Sequence, residues 1–267
     1  MKLKFAKKNY SPYTQDVEVV SLSSTGTMIG YPVELKVKIT SKVFEDALAR
    51  LNEKTKFINF ALNQRIVYFA DTPDLDVLHS GKVLIRFRWN NEFLESVIKV
   101  RHSPKYTIEH IRKEYASVPN HMLKIDGDGL LEKDIQWSFA LKYFYKNISP
   151  SFTFFSNPED YLSPEQKRLL KELAPKVNLK ELKYGIPIES NACKFDISFK
   201  EFSSITLEEW RLPRLLWDKL HELSAKTEIY GEKSQKHLLK FLDELGIDIS
   251  GEPIFKTTWY YHSYFNV

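Results

Sequence analysis

The feature that most constrains this chain is a two-residue alternation whose polar face is charged and which recurs along the sequence. Residues 31–40, YPVELKVKIT, put Val33, Leu35, Val37 and Ile39 on one parity and Glu34, Lys36 and Lys38 on the other. Successive side chains of a strand point to opposite faces, so this spacing predicts a strand with one apolar and one charged face. Residues 83–89, VLIRFRW, set Leu84, Arg86 and Arg88 against Val83, Ile85, Phe87 and Trp89. Asn90-Asn91 signals a turn, and the partner segment SVIKVRH places Val97, Lys99 and Arg101 opposite Ile98 and Val100. Two adjacent strands thus carry two cations each on a single face. Like charges on neighbouring strands repel unless something anionic lies between them.

The same alternation returns further on. Lys124, Asp126 and Asp128 oppose Leu123 and Ile125; Lys194, Asp196 and Ser198 oppose Phe195, Ile197 and Phe199; Glu222, Ser224, Lys226 and Glu228 share a parity in HELSAKTEI. Residues 16–23 and 64–69 are further strand candidates, and the aromatic run 254–265, IFKTTWYYHSYF, reads as a strand that closes a sheet. Helical spacing marks other segments. Ser41 is the expected N-cap of a helix carrying Val43, Phe44, Ala47, Leu48 and Leu51. Residues 106–118 and 134–146 have helical apolar spacing, and Ser163-Pro164-Glu165-Gln166 is a capping signature for a helix to about Leu173. Thr206 and Glu209 form a capping box ahead of Trp210, Leu215, Leu216 and Leu220, and Ser234 caps a last helix closed by Gly246.

In an ordinary sandwich the apolar faces meet and the charges are solvated. Here amphipathic helices are available to cover the apolar faces, which turns the charged faces inward. The expected class is therefore α+β: a closed antiparallel β-barrel, a tunnel with a charged lumen, with helices packed outside. The expected organisation is one domain over 1–267, with an N-terminal extension at 1–30 and a helical insertion at 134–178.

Composition narrows the function classes. A chain of 267 residues that is 43% hydrophobic and 14% aromatic is globular, not disordered. The net charge of +4 favours an anionic ligand but falls short of a general nucleic-acid binder, so no nucleic-acid partner is expected. A single cysteine, Cys193, excludes an internal disulfide framework and fits a reducing compartment. The basic start MKLKFAKKNY has no apolar run behind it, and no stretch reaches the ~20 apolar residues of a membrane helix. A cytoplasmic protein without membrane contact is the expectation, and the reading leaves room for a homodimer.

Arg and Lys clustered in such a lumen hold a polyanion, Arg through bidentate contacts and Lys as a point charge. The carboxylates sharing it are best explained as ligands of a divalent cation that bridges to phosphate oxygens. In this order the motifs resemble the CYTH superfamily, the triphosphate tunnel metalloenzymes, which include triphosphatases and class IV adenylate cyclases. The clearest likeness is RIVYFADTPDLDVLHSGKVLIRFRW, which gives Arg86 and Arg88, followed by Lys99 and Arg101. PVELKV resembles the family's Glu-x-Glu-x-Lys signature and gives Glu34 and Lys36; Pro32 stands where its first Glu would be. Lys124-x-Asp126-x-Asp128 is similar to an Arg-x-Glu-x-Glu element, and Ser224-x-Lys226-x-Glu228 to the late acidic strand.

The resemblance implies a metal-dependent hydrolase of a triphosphate. Glu34, Lys36, Arg86 and Arg88 would be catalytic; Lys36, Lys38, Arg86, Arg88, Lys99, Arg101, Lys124, Lys183 and Lys226 would bind substrate; Glu34, Asp126, Asp128 and Glu228 would hold Mg or Mn. Each role has a plainer competitor. Glu34 also suits an ion pair with Lys36 or Lys38, IDGDGL also suits a glycine-assisted turn, and Lys183 and Lys226 also suit a solvated surface. The alternative function is a non-catalytic polyphosphate, nucleotide or RNA-end binder with a degraded metal site, for which Pro32 argues.

Overall fold

The computed structural model describes residues 33–54, 60–91, 93–101, 113, 115–118, 123–129, 136–149, 151–199, 202–212, 219–227, 232–244, 246 and 256–265. Ten strands form one sheet: β1 Val33–Ile39, β2 Phe60–Asp71, β3 Val83–Trp89, β4 Phe93–Arg101, β5 Leu123–Gly129, β6 Gln136–Lys146, β7 Lys183–Tyr184, β8 Ile188–Phe199, β9 Phe202–Arg211 and β10 Lys219–Thr227. Their order is β3-β4-β6-β5-β1-β10-β9-β8-β2-β7, with a further pairing of β2 to β3. Every pairing is antiparallel except β1 with β5, which is parallel, against the expectation of an antiparallel sheet throughout. With helices α1 Ser41–Lys54 and α2 Asp76–His79, and the helices Phe152–Phe155, Pro164–Leu173, Glu232–Glu244 and Lys256–Phe265, the fold is α+β.

Alternation sets the two faces. On one, Tyr68 and Ala70 of β2, Ile85 and Phe87 of β3 and Leu94 and Ile98 of β4 are buried with Ala47 and Leu51 of α1 and Leu169 and Leu170 of the helix Pro164–Leu173. That helix starts as its sequence predicts: Ser163 Oγ accepts from Gln166 N–H at 3.2 Å, and Gln166 Oε1 accepts from Ser163 N–H at 2.9 Å. Gln166 is fully buried, and its amide donates to the carbonyls of Ser96 on β4 (3.2 Å) and Leu141 on β6 (3.0 Å). One side chain therefore caps the helix and fixes it to strands β4 and β6 of the sheet.

Several local expectations fail, each for a visible reason. Residues 134–146 are strand β6 where they fall within it, because Phe139 and Leu141 alternate into the outer core. Residues 206–211 continue strand β9; Thr206 and Glu209 make no helix cap, and Leu207 lies in the outer core while Trp210 takes the opposite face. The run 254–265 is helical from Lys256, not a strand, because Trp259, Tyr260 and Tyr261 are consecutive and all buried, which a single-faced strand does not allow. The cap of α1 is Thr40, whose Oγ1 accepts from Val43 N–H at 3.3 Å, while Ser41 is the first helical residue. Ser234 lies inside a helix that begins at Glu232. Residues 16–23 and most of 106–118 lie outside the described residues.

Candidate functional site

The face opposite the outer core carries the charges. Register aligns them across strands. Glu34 is paired with Lys226 of β10 and Asp128 of β5; Lys36 lies opposite Ser224 and Lys38 opposite Glu222. Arg86 is opposite Phe69 and Val97, Arg88 is opposite Val67 and Glu95, and Val97 is opposite Lys142. Lys99 and Lys124 flank Ala140, and Arg65 lies opposite Ser190, whose other neighbour is Trp210. Seven strands thus contribute cations to one face, as the repeated alternation predicts.

The carboxylates on this face neutralise part of that charge. Glu34 Oε2 lies 3.1 Å from Lys36 Nζ. Glu95 sits between Arg88 Nε (3.2 Å) and Lys142 Nζ (3.3 Å). Burial opposes its ionisation, but Arg88, Lys142 and Arg65 outweigh that and hold it below the usual carboxylate range. Glu208 collects four donors: Arg65 Nη2 at 2.9 Å, Ser190 Oγ at 2.5 Å, Trp210 Nε1 at 2.7 Å and Lys256 Nζ. Burial again opposes the charge, yet Lys256 and Arg65 hold Glu208 well below the ordinary range. Lys256 comes from the last helix and also reaches Glu222 Oε1 at 2.6 Å. Burial lowers its affinity for a proton, but the two carboxylates win and raise it. Glu222 is pushed up by burial in spite of Lys256 and Lys36.

Arg86 stands apart. Its Nε is buried and has no hydrogen-bond partner among the described residues. Arg88 Nε, although within ion-pair distance of Glu95, is likewise buried without an aligned hydrogen bond. Burial lowers the Arg88 pKa, with Glu95 opposing, but a guanidinium stays charged throughout. A buried guanidinium N–H without an aligned acceptor is a charged donor, and Arg86 and Arg88 place two of these on one face.

Arg86, Arg88, Lys36, Lys99, Arg101, Lys124 and Lys226 are all half-buried, and Lys38 is exposed. Arg101 Nη2 donates to Thr257 Oγ1 of the last helix at 3.2 Å. Lys183 belongs elsewhere: it is exposed on β7, beside a cavity of about 160 Å³ lined by Asp71, Thr72, Tyr184 and Tyr261. Asp126 and Asp128 are in β5, with side chains outside the described residues, as is the whole of Glu228. Among the described residues, no three His, Cys, Asp or Glu side chains gather as a metal site. Glu34, Glu95, Glu208 and Glu222 are each held by a cation. Glu34 and Asp128 are in register between β1 and β5.

Arg65, Glu95, Lys142, Glu208, Glu222 and Lys256 were not singled out from the sequence. Glu95 is within reach of the sequence pattern, since it shares the parity of Lys99 and Arg101 on β4. Lys142, Glu208 and Lys256 lay in segments whose secondary structure was misassigned.

The comparisons agree with this architecture. No family profile matches the sequence, and no curated protein matches it. Solved structures do: the chain has the fold of CYTH-type proteins, as its motifs suggested. An assigned adenylate cyclase from Bacillus halodurans aligns with a TM-score of 0.55 at 11% identity, over 84% of this chain and 95% of that one. An assigned adenylyl cyclase from Hippeastrum, described as having a dominant triphosphatase activity, aligns with a TM-score of 0.54 at 16% identity, over 84% and 93%. At these identities the likeness is one of fold. Among the described residues no helix is long and apolar enough to cross a membrane.

Proposed function

We propose that the sheet closes on itself through the β2–β3 pairing into a tunnel, and that the tunnel binds and hydrolyses a triphosphate, inorganic or organic. The observation that carries this is Arg86, a guanidinium on the charged face whose buried Nε has no hydrogen-bond partner among the described residues, with Arg88, ion-paired to Glu95, two positions along the same face. A phosphate oxygen supplies the missing acceptor, and bidentate contact suits both groups. Lys36, Lys99, Arg101, Lys124 and Lys226 neutralise the remaining phosphates, which positions the chain and stabilises charge that develops on a leaving phosphate. Glu34, with Asp128 opposite it in register, is the proposed start of a Mg or Mn site completed by Asp126 and Glu228. A divalent ion there would supply charge neutralisation and a more acidic bound water. The Hippeastrum protein of the same fold, with its triphosphatase activity, supports the choice of reaction.

A second reading is favoured by a specific observation. Glu34, Glu95, Glu208 and Glu222 on the charged face are engaged by Lys or Arg, an arrangement that serves binding without turnover. Phosphate release from inorganic triphosphate with Mg or Mn, compared between the wild type and Arg86→Ala, separates the two. Release that collapses in the variant supports hydrolysis; tight binding without release supports a sensor; neither binding nor release removes the tunnel from consideration.

A further inference from the structure

Building on the triphosphate reading, we propose that Glu95 sets how many phosphates the charged face accepts. Its carboxylate stands in for one more phosphate between Arg88 and Lys142, so a chain longer than a triphosphate finds nothing further to bind. Register places the groups across three neighbouring strands. On one side of β4, Arg86 is opposite Val97 and Arg88 is opposite Glu95. On its other side, Lys142 of β6 is opposite Val97 and Phe144 is opposite Glu95. Going along the charged face of β4, Glu95 is where the cations give way to Phe93.

Glu95 is 7% exposed, and its two oxygens are divided between two cations. Its Oε2 lies 3.2 Å from Arg88 Nε and its Oε1 3.3 Å from Lys142 Nζ. Arg65 adds a third positive charge near enough to favour the ionised form. A phosphate group in this position would take the same two donors. The carboxylate is therefore a built-in anion, and it opposes an incoming phosphate in two ways. It occupies Arg88 Nε and Lys142, and it repels the phosphate in a nearly dry wall, where like charges act strongly on each other. Arg88 still serves the ligand, since a guanidinium has five N–H donors and Glu95 lies against Nε alone. Past Glu95 the wall changes character. Phe93 and Phe144 have ring centroids 5.5 Å apart, Phe144 is 40% exposed, and neither side chain offers an anion a hydrogen bond. Lys146, opposite Phe93, is exposed, and a point charge in open water adds little to binding.

Titration calorimetry with tripolyphosphate and tetrapolyphosphate tests this in the wild type, in Glu95→Gln and in Glu95→Gln with Lys142→Met. The wild type should bind tetrapolyphosphate no more tightly than tripolyphosphate, a comparison that needs no altered protein. In Glu95→Gln, which keeps the size of the side chain and removes its charge, tetrapolyphosphate should gain about ten- to hundred-fold over tripolyphosphate, the worth of one hydrogen-bonded charge. Adding Lys142→Met should cancel that gain. A preference for tetrapolyphosphate already present in the wild type overturns the role of Glu95. So does a Glu95→Gln protein, cooperative in urea unfolding, that shifts both ligands together or neither. Failure of the wild type to bind either ligand overturns the triphosphate reading and this inference with it.

Discussion

Replacing Lys256 by Met tests how the last helix is held. The ammonium is 18% exposed, bridging carboxylates that are 7% and 5% exposed, so the change removes one charge from a nearly dry site while keeping the length of the side chain. Glu208 retains Arg65, Ser190 and Trp210, whereas Glu222 loses the hydrogen bond that Lys256 gives it. Breaking a buried pair by deleting one partner costs about 3–5 kcal/mol, most of it from the charge left behind. Near neutral pH, urea unfolding should show a loss in that range. The penalty should shrink on acidification. Without Lys256, Glu222 rises further above the carboxylate value of 4.5, and protonating a raised carboxylate relieves the folded state as pH falls. In the wild type Glu208 acts with the opposite sign. Its depressed pKa contributes stability above 4.5 that is lost as pH falls through its folded value. The two curves therefore converge toward acid. Adding Glu222→Gln to Lys256→Met should recover a large part of the loss. A deficit that is independent of pH and unchanged in the double variant refutes the bridge.

Three further outcomes follow from the same contacts. Arg86→Ala should weaken tripolyphosphate binding about ten- to hundred-fold by calorimetry, the worth of one hydrogen-bonded charge, while leaving the urea midpoint unchanged or raised; a lowered midpoint would mean that Arg86 is structural. Gln166→Leu should destabilise the protein by roughly 2–4 kcal/mol in urea unfolding, because the carbonyls of Ser96 and Leu141 and the Ser163 N–H lose their partner together. Gly185→Ala should lower the melting temperature, since an added Cβ would lie 2.0 Å from Tyr260 Oη, and Tyr260→Phe in the same chain should restore much of it.

The strands that were legible in the sequence are those with one apolar and one charged face. β1, β3 and β4 show clear alternation over their charged stretches because one face meets the main core while the other carries the charges. The helix from Pro164 was equally legible, since its start is written in local hydrogen bonds. Recognition fails where a segment is buried on both sides. Trp210 in β9 packs into the second core while its neighbours Leu207 and Ile205 pack into the first, so apolar residues fall on both parities and mimic helical spacing. The last helix buries three consecutive aromatic residues, Trp259, Tyr260 and Tyr261, so its sequence offers chiefly the strand preference of those aromatics to read. The candidate site suffered accordingly. The cations that the sequence nominates on β1, β3 and β4 lie on well-alternating strands, while Glu208 and Lys256 lie in segments that the sequence misassigns.

The central claim, that charged faces of many strands converge on one polyphosphate, is tested most directly by a crystal structure of the protein soaked with tripolyphosphate and Mn. The account predicts three phosphorus peaks in a row on the inner face, the nearest oxygens within hydrogen-bond distance of Arg86 and Arg88 and the row ending short of Lys256. Phosphate density confined to the outer surface, or an inner face occupied by water alone at saturating ligand, would contradict it.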